Sequence, residues 1–209
     1  MRDTAGLTSL GWHPEFADSF TPYGRQGFCP GRVAQEDKHA YLVLTETGEL
    51  LAQVPGRLLH RVASAAELPK VGDWVAVRPL PERGKAVIEA ILPRRTQVVR
   101  KLVGRRQAEQ VLAANLDTAF IVLALDASFN VPRLERFLVV VRDGGAQAVV
   151  VLNKVDLADD PEARRGEACR VAGETPVFLV SARTGRGLGQ LRSALPPGQT
   201  VAVIGTSGV

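Results

Sequence analysis

The chain has 209 residues, enough for one large domain or two small ones with a buried core. Its hydrophobic fraction of 45%, charged fraction of 23% and mean hydropathy of +0.03 exclude a wholly disordered or collagen-like chain. No apolar run reaches the roughly 18 to 20 residues of a membrane-spanning helix, and residues 1–11 lack the apolar core of a signal peptide. We therefore expect a cytoplasmic protein without a membrane partner.

The charge balance is mildly basic, with 26 Lys plus Arg, 22 Asp plus Glu and a net charge of +4. This balance is compatible with a nucleic-acid partner but does not establish one. The two cysteines, Cys29 and Cys169, lie far apart, and the three histidines are scattered singly. These positions argue against a disulfide framework and against a metal site within these residues.

The first third of the chain predicts a β-barrel preceded by a leader. Residues 1–26 show no apolar period, and we interpret them as an extended leader, partly ordered by its aromatic side chains. Short runs of strand character then alternate with turn signals, which predicts a small barrel of a kind that often binds oligonucleotides. The predicted strands are Gly31–Gln35, His39–Thr45, Glu49–Val54, Asp73–Arg78 and Lys85–Leu92.

A strongly basic segment follows the barrel. Residues 94–106 contain six cationic side chains and no Asp or Glu, so their summed field should attract phosphate. The alternative is a solvated basic linker. The six residues are Arg94, Arg95, Arg100, Lys101, Arg105 and Arg106.

From residue 117 onward apolar strands alternate with helices, which predicts an α/β domain with a parallel sheet. In such sheets ligands bind at the carboxyl ends of the strands, so the residues after each strand are the site candidates. The predicted strands are Thr118–Leu125, Ala148–Leu152, Val177–Val180 and Thr200–Ile204, and the predicted helices are Pro132–Arg142, Pro161–Val171 and Leu188–Leu195.

Asn153, Lys154 and Asp156 follow the second of these strands as an NKxD sequence. A carboxylate there can accept hydrogen bonds from the N1–H and the exocyclic amino group of guanine, which adenine does not offer. Asn153 can tie the loop together, and the aliphatic stem of Lys154 can lie across the base. An ordinary turn with a helix N-cap at Asp156 is the alternative.

Ser181 and Ala182 follow the third strand, where a small residue lets a backbone N–H approach the guanine O6. Ser181 as a helix cap is the alternative.

The fourth strand runs into residues that fill the first five positions of the phosphate-loop pattern G-x-x-x-x-G-K-S/T. The sequence ends before the lysine and the magnesium-binding hydroxyl of that pattern, and we expect it to be incomplete. A chance glycine-rich tail is the alternative. The five residues are Gly205, Thr206, Ser207, Gly208 and Val209.

The order of these sequences is informative, because the phosphate loop comes first in Ras-like GTPases and last here. With that order, a barrel in front and a basic connector between, the sequence resembles the ribosome small-subunit-dependent GTPase A (RsgA or YjeQ) family of circularly permuted GTPases. The resemblance extends from about Phe28 to Val209. It is carried by VGDWV at 71–75, GRRQAEQVLAANLDTAFIVLALD at 104–126, RLERFL at 133–138, VVLNKVDL at 150–157 and VAVIGTSGV at 201–209.

The resemblance implies an all-β OB-fold barrel followed by an α/β P-loop GTPase domain that is circularly permuted and incomplete in this chain. The implied domains are a leader at 1–26, an OB-fold RNA-binding domain at 27–93, a basic connector at 94–116 and a partial GTPase domain at 117–209. If the Ras-like strand order applies, the four strands of the last domain are neighbours, with Val201–Ile204 at an edge.

The implied function is late maturation of the small ribosomal subunit, with that subunit, its rRNA and guanine nucleotide as partners of a monomeric protein. The complete family protein hydrolyses GTP to GDP with Mg²⁺, and its zinc is expected only in a C-terminal domain. We expect this chain alone to be inactive, with no catalytic residue within it. An RNA-binding OB-fold module without catalysis is the alternative.

Carried onto this chain, the resemblance implies that the NKxD residues read guanine, that Ser181 and Ala182 complete the base pocket, and that residues 205–209 begin the phosphate cradle. It also implies RNA contacts by stacking on Phe28 and Tyr41 and by phosphate neutralisation at the six basic residues of the connector.

Overall fold

The structure is a computed structural model that describes residues 5–38, 40–60, 62, 64–81, 84–101, 109–206 and 208–209. Among these residues, no helix combines the length and apolar character needed to cross a lipid bilayer. The chain divides into two compact units, Met1–Asn115 and Leu116–Val209, which we call the barrel unit and the sheet unit.

The barrel unit is built on a closed barrel of five strands in the order β1-β2-β3-β5-β4. Neighbouring strands are antiparallel except β3 and β5, which are parallel. This five-stranded Greek-key arrangement is that of the OB-fold, so the predicted class is confirmed. The strands are β1 (Cys29–Asp37), β2 (Ala40–Thr45), β3 (Gly48–Gln53), β4 (Trp74–Pro79) and β5 (Lys85–Ile91), with α3 (Gly56–Leu59) and a 3₁₀ turn (Ala65–Glu67) between β3 and β4.

Alternating side chains of these strands fill the barrel. Buried residues of all five strands contact one another inside it, as the period of two in a strand requires. Tyr41 lies in this core with 0% exposure, so the prediction that it stacks on RNA is wrong. The other members include Val33, Val43, Val75, Val77 and Ile88.

The N-terminal segment is helical where the sequence analysis predicted an extended leader. It forms α1 (Ala5–Thr8) and α2 (Pro14–Gly24), with proline in the first turn of α2. Phe16, Phe20 and Tyr23 recur at helical spacing, a period that the internal Pro22 obscures. Trp12 contacts Trp74 edge to face with ring centroids 4.6 Å apart, so the expected docking of aromatic side chains is confirmed.

Residues that the sequence analysis interpreted as a basic connector form a β-hairpin. Strand β6 (Gln97–Lys101) pairs antiparallel with β7 (Glu109–Ala114). Val98 and Val111 are buried, which explains why alternating residues between the cations form strands.

The VGDWV motif joins the hairpin to the barrel. Gly72 has φ +92°, and a Cβ there would lie 2.0 Å from the carbonyl oxygen of Ala114, so no other residue fits. Asn115 donates from its amide to the carbonyl of Gly72 at 3.1 Å and accepts from the backbone N–H of Arg95 at 2.9 Å. The hairpin is therefore fixed to the barrel at its end.

The sheet unit is an α/β fold with four parallel strands in the order β10-β9-β8-β11. The predicted parallel sheet is confirmed, and β11 lies at an edge of these described strands, as the Ras-like order predicts. The elements are β8 (Thr118–Ala124), α4 (Val131–Asp143), β9 (Gln147–Asn153), α5 (Pro161–Ala172), β10 (Val177–Leu179), α6 (Leu188–Ser193) and β11 (Val201–Gly205).

Candidate functional site

The predicted guanine-reading residues come from the carboxyl ends of β9 and β10, which are neighbours in the sheet. Asn153 Oδ1 accepts a hydrogen bond from the backbone N–H of Ala182 at 3.0 Å. A second link runs from the N–H of Val155 to the carbonyl of Val180 at 3.2 Å. The NKxD loop and the SA loop are therefore held together before any ligand binds.

Asp156 is exposed at the surface of this pair of loops. A hydrogen bond from Ser181 is the main cause that holds the pKa of Asp156 below its usual range, with smaller contributions from Arg183 and Lys154. Helix α5 has its own N-cap, because Asp160 accepts from the N–H of Ala163 at 2.9 Å. Asp156 is thus an ionised, accessible acceptor and not a helix cap.

Ser181 has two roles at once. Ser181 is fully buried, its hydroxyl oxygen accepts from the N–H of Thr184 at 3.1 Å, and its hydrogen bond to Asp156 lowers the pKa of that carboxyl. The helix-cap alternative for Ser181 is wrong, because its bond to Thr184 closes a turn, and helix α6 begins later, with Gly187 as its N-cap.

Lys154 links the NKxD loop to the predicted phosphate loop. Its backbone is left-handed, with φ +65°, and its Nζ donates to Asp126 Oδ2 at 2.9 Å and to the carbonyl of Gly208. Asp126 also accepts from the hydroxyl of Ser128 at 2.6 Å and from its N–H at 2.9 Å. These hydrogen bonds hold the pKa of Asp126 well below its usual range, the Ser128 hydroxyl contributing most.

Asp126 was missed by the sequence analysis. The signal was present, because this carboxylate follows the apolar run of β8 and therefore lies at the same edge of the sheet as the other candidates. A single acidic residue after a strand carries no motif, however, and only the structure shows its contact with Lys154.

The residues of the predicted phosphate loop follow β11 directly. A Cβ on Gly205 would lie 2.5 Å from the carbonyl oxygen of Val122, so glycine is required for β11 to pair with β8. Gly208 has φ +82°, the left-handed conformation typical of glycine in a tight loop. Thr206 and Val209 belong to the described loop, whereas Ser207 lies outside the described residues.

In the barrel unit, Arg94 is a structural residue. Its side chain is 17% exposed and pairs with the fully buried carboxylate of Asp73 through two N–H donors at 2.9 and 2.8 Å. The remaining donors reach the carbonyls of Ala66 and Leu68 and the side chain of Gln97. All five guanidinium donors are thus used, so the prediction that Arg94 binds phosphate fails on geometry.

The other residues predicted to contact RNA differ in their exposure and in their partners. Arg95 is exposed and pairs with Glu15 at 3.1 Å, and Arg100 is exposed on β6. Phe28 is half-buried, with the guanidinium of Arg78 5.5 Å above its ring. Lys101 ends β6, and its side chain, like Arg105 and Arg106, lies outside the described part of the chain.

Metal ligands do not cluster in the described part of the chain. Within it, no group of three or more His, Cys, Asp or Glu side chains is arranged to hold an ion.

Comparison with known proteins identifies relatives of the whole chain. The "Small ribosomal subunit biogenesis GTPase RsgA" of Opitutus terrae is 49% identical over 97% of this chain and 57% of its own length. The protein of the same name from Syntrophotalea carbinolica is 40% identical, with the same coverage of both chains. The chain therefore spans 57% of the length of these relatives.

Solved structures agree with the fold. The crystal structure of YjeQ from Thermotoga maritima is 26% identical, with a TM-score of 0.67 over 87% of this chain and 61% of that chain. YloQ, described as a circularly permuted GTPase, has a TM-score of 0.62 over the same shares at 21% identity, which bears on the fold alone. The family model described as RsgA GTPase matches residues 91–209, more than half of the chain. This chain therefore belongs to the RsgA GTPase family.

Proposed function

We propose that the sheet unit binds guanine nucleotide and that the complete protein hydrolyses GTP during biogenesis of the small ribosomal subunit. The observation that carries the proposal is the joined pair of loops, in which Asn153 binds Ala182 and Val155 binds Val180. The names of the relatives favour this function over an RNA-binding module without catalysis.

The chemistry of the site fits guanine. The ionised carboxylate of Asp156 offers two acceptor oxygens to the N1–H and the amino group of the base. Adenine presents an acceptor at N1 and has no amino group at C2, so it would leave the carboxylate unpaired. The N–H of Ala182 already binds Asn153, so the guanine O6 would compete with Asn153 for this donor.

The phosphate end of the proposed site is formed by residues 205–209. Gly208 is held by Lys154, so base recognition and the phosphate loop share one side chain. We propose Mg²⁺ binding and hydrolysis of GTP for the complete protein. We likewise propose zinc only for the C-terminal domain implied by the family resemblance.

For the barrel unit we propose binding to rRNA of the small subunit, by a monomeric protein in the cytoplasm. The support is the OB-fold, a fold that commonly binds oligonucleotides, together with exposed Arg95 and Arg100 beside the barrel. The domain boundaries stay a proposal, with residues 27–93 as the RNA-binding domain and 117–209 as the GTPase domain.

The test replaces Asp156 with asparagine in the longest natural polypeptide that carries this sequence. An asparagine amide donates where the carboxylate accepts, so GDP binding should weaken strongly, by a factor on the order of 10⁴, and xanthine diphosphate should become the preferred ligand. Titration calorimetry with both nucleotides measures this. Asp159→Asn, an exposed aspartate of the same loop, is the matched control. Unchanged guanine preference in Asp156→Asn refutes the proposed nucleotide site.

A further inference from the structure

Two arginines of the barrel unit share one carboxylate. Arg57 on α3 and Arg78 on β4 both donate to Glu89 on β5, one to each carboxylate oxygen. The side chain of Glu89 is 10% exposed, whereas those of Arg57 and Arg78 are 60% and 54% exposed. The carboxylate thus lies beneath two guanidinium groups that face solvent, and the cluster carries one net positive charge.

An aromatic pair packs against Arg78 of this cluster. The guanidinium of Arg78 lies 5.5 Å from the ring centroid of Phe28. Tyr23 of α2 packs against Phe28 with ring centroids 6.3 Å apart. Arg78 is therefore held on one side by Glu89 and on one face by an aromatic ring, which reduces the entropy that it would lose on binding a ligand.

The remaining donors of these arginines suit a phosphate. A guanidinium has five N–H donors in a planar fork, and Glu89 takes one from each arginine. Phosphate oxygens match this fork and accept short charge-assisted hydrogen bonds. Because Glu89 holds both guanidinium groups in place, they should bind a phosphate more tightly than two mobile surface cations would.

We propose that the cluster of Arg57, Glu89 and Arg78 is a phosphate clamp for single-stranded RNA. The inference deepens the proposed RNA-binding function of the barrel and rests on it. It adds a surface outside the basic segment, formed by three elements of the barrel itself. Neighbouring bases can stack on the exposed face of the Arg78 guanidinium, as bases do on arginine planes in RNA-binding proteins.

The test compares filter binding of a radiolabelled single-stranded RNA of about 16 nucleotides, the upper site size of one OB-fold, to variants of the full chain. Arg57→Gln with Arg78→Gln should weaken binding roughly tenfold at physiological salt. Each lost phosphate contact should lower the slope of log K against log salt by about 0.7, so two should lower it by about 1.4. Arg57→Lys with Arg78→Lys should keep the slope, because both charges remain, but should still weaken binding, because an ammonium group lacks the planar fork of donors.

The matched control is Arg164→Gln with Arg165→Gln on α5. These arginines are 52% and 47% exposed and pair with Glu167 and Glu162, and Arg164 also lies over an aromatic ring, Phe129. The control removes the same charge without removing a clamp, so its slope should stay near that of the parent chain.

The outcomes separate the clamp from the wider function. If the glutamine pair changes affinity and slope no more than the control, or if the lysine pair binds RNA as tightly as the parent chain, the clamp is refuted while RNA binding by the chain stands. If the unaltered chain shows no salt-dependent RNA binding, the proposed RNA function fails and the clamp fails with it. If the glutamine pair loses binding to a polyglutamate peptide while its RNA binding is unchanged, the cluster binds an acidic protein partner and the inference is overturned.

Discussion

The role of a residue could be predicted from the sequence where a short motif specifies it, but not for Asp126 or Arg94. The NKxD and SA residues could be predicted because a short pattern specifies a particular base edge. Asp126 could not, since its importance lies in a contact with Lys154 across two strands. Arg94 was predicted as a surface cation from its basic neighbours, yet its position beside the buried Asp73 makes it part of the barrel unit's interior.

Replacing Asp126 with asparagine tests the link between base and phosphate loops. The change removes the charge beside Lys154 but leaves an oxygen that can accept from Ser128. Lys154 should lose its fixed position at Gly208, and GDP affinity should fall about fivefold, or roughly 1 kcal/mol. The preference for guanine should remain, because Asp156 is unchanged. Calorimetric titration measures both, with Asp143→Asn on α4 as control. Equal affinities for GDP in both variants would contradict the link.

The same residue predicts how stability depends on pH. The folded pKa of Asp126 is lowered, so its stabilising contribution is present above the unfolded value of about 4 and is lost as the pH falls towards the folded value. Asp156 contributes in the same direction. Urea midpoints at pH 6 and about pH 3 should therefore differ less for Asp126→Asn than for the parent protein. An identical acid loss in both would show that Asp126 contributes nothing.

Replacing Arg94 with alanine tests the corrected role of this residue. The buried carboxylate of Asp73 would lose its partner, and the unfolding free energy should fall by about 3–5 kcal/mol. Arg100→Ala, an exposed cation of the same segment, should change stability by less than about 0.5 kcal/mol. Urea denaturation measures both. Similar unfolding free energies of the two variants would show that Arg94 does not stabilise the barrel unit.

At the scale of elements, short runs of strand character bounded by turn residues, and continuous apolar runs, predicted the nine strands that the structure describes in the barrel and the parallel sheet. The sequence analysis missed α2, whose aromatic face is interrupted by Pro22, and the β6–β7 hairpin, whose sequence was interpreted as a basic connector because of its cations. Both elements make contacts distant in sequence, α2 between the rings of Phe16 and Trp74 and β7 from the N–H of Ala114 to the carbonyl of Val71. Local patterns carry no information about such contacts.

The pairing of β11 with β8 depends on one glycine. Gly205→Ala places a methyl group 2.5 Å from the carbonyl oxygen of Val122, so β11 must move away from β8. We expect a loss of about 1–3 kcal/mol in unfolding free energy. Gly189→Ala in α6 meets nothing within 4 Å and should raise stability by up to about 1 kcal/mol. Urea denaturation compares the two, and equal effects would contradict the close approach.

At the scale of the whole molecule, the unit boundary at Asn115 includes the hairpin with the barrel. Arg94 and Asn115 supply hydrogen bonds to the barrel from beyond residue 93. A fragment of residues 1–115 should therefore unfold in one cooperative transition, whereas a fragment of residues 1–93 should not. Scanning calorimetry distinguishes them. A sharp transition in the shorter fragment would show that the barrel needs neither contact.

The edge-to-face pair of Trp12 and Trp74 has an optical consequence. The chain has two tryptophans and two tyrosines, and all four belong to the barrel unit. Intrinsic fluorescence therefore reports the barrel unit alone, and the sheet unit emits nothing above its phenylalanines. Melting the protein with GDP present should shift the far-ultraviolet circular dichroism transition of the sheet unit, while the tryptophan emission still follows the barrel. Circular dichroism records both units and tryptophan emission only the barrel unit, so the difference between the two transitions follows the sheet unit without a label.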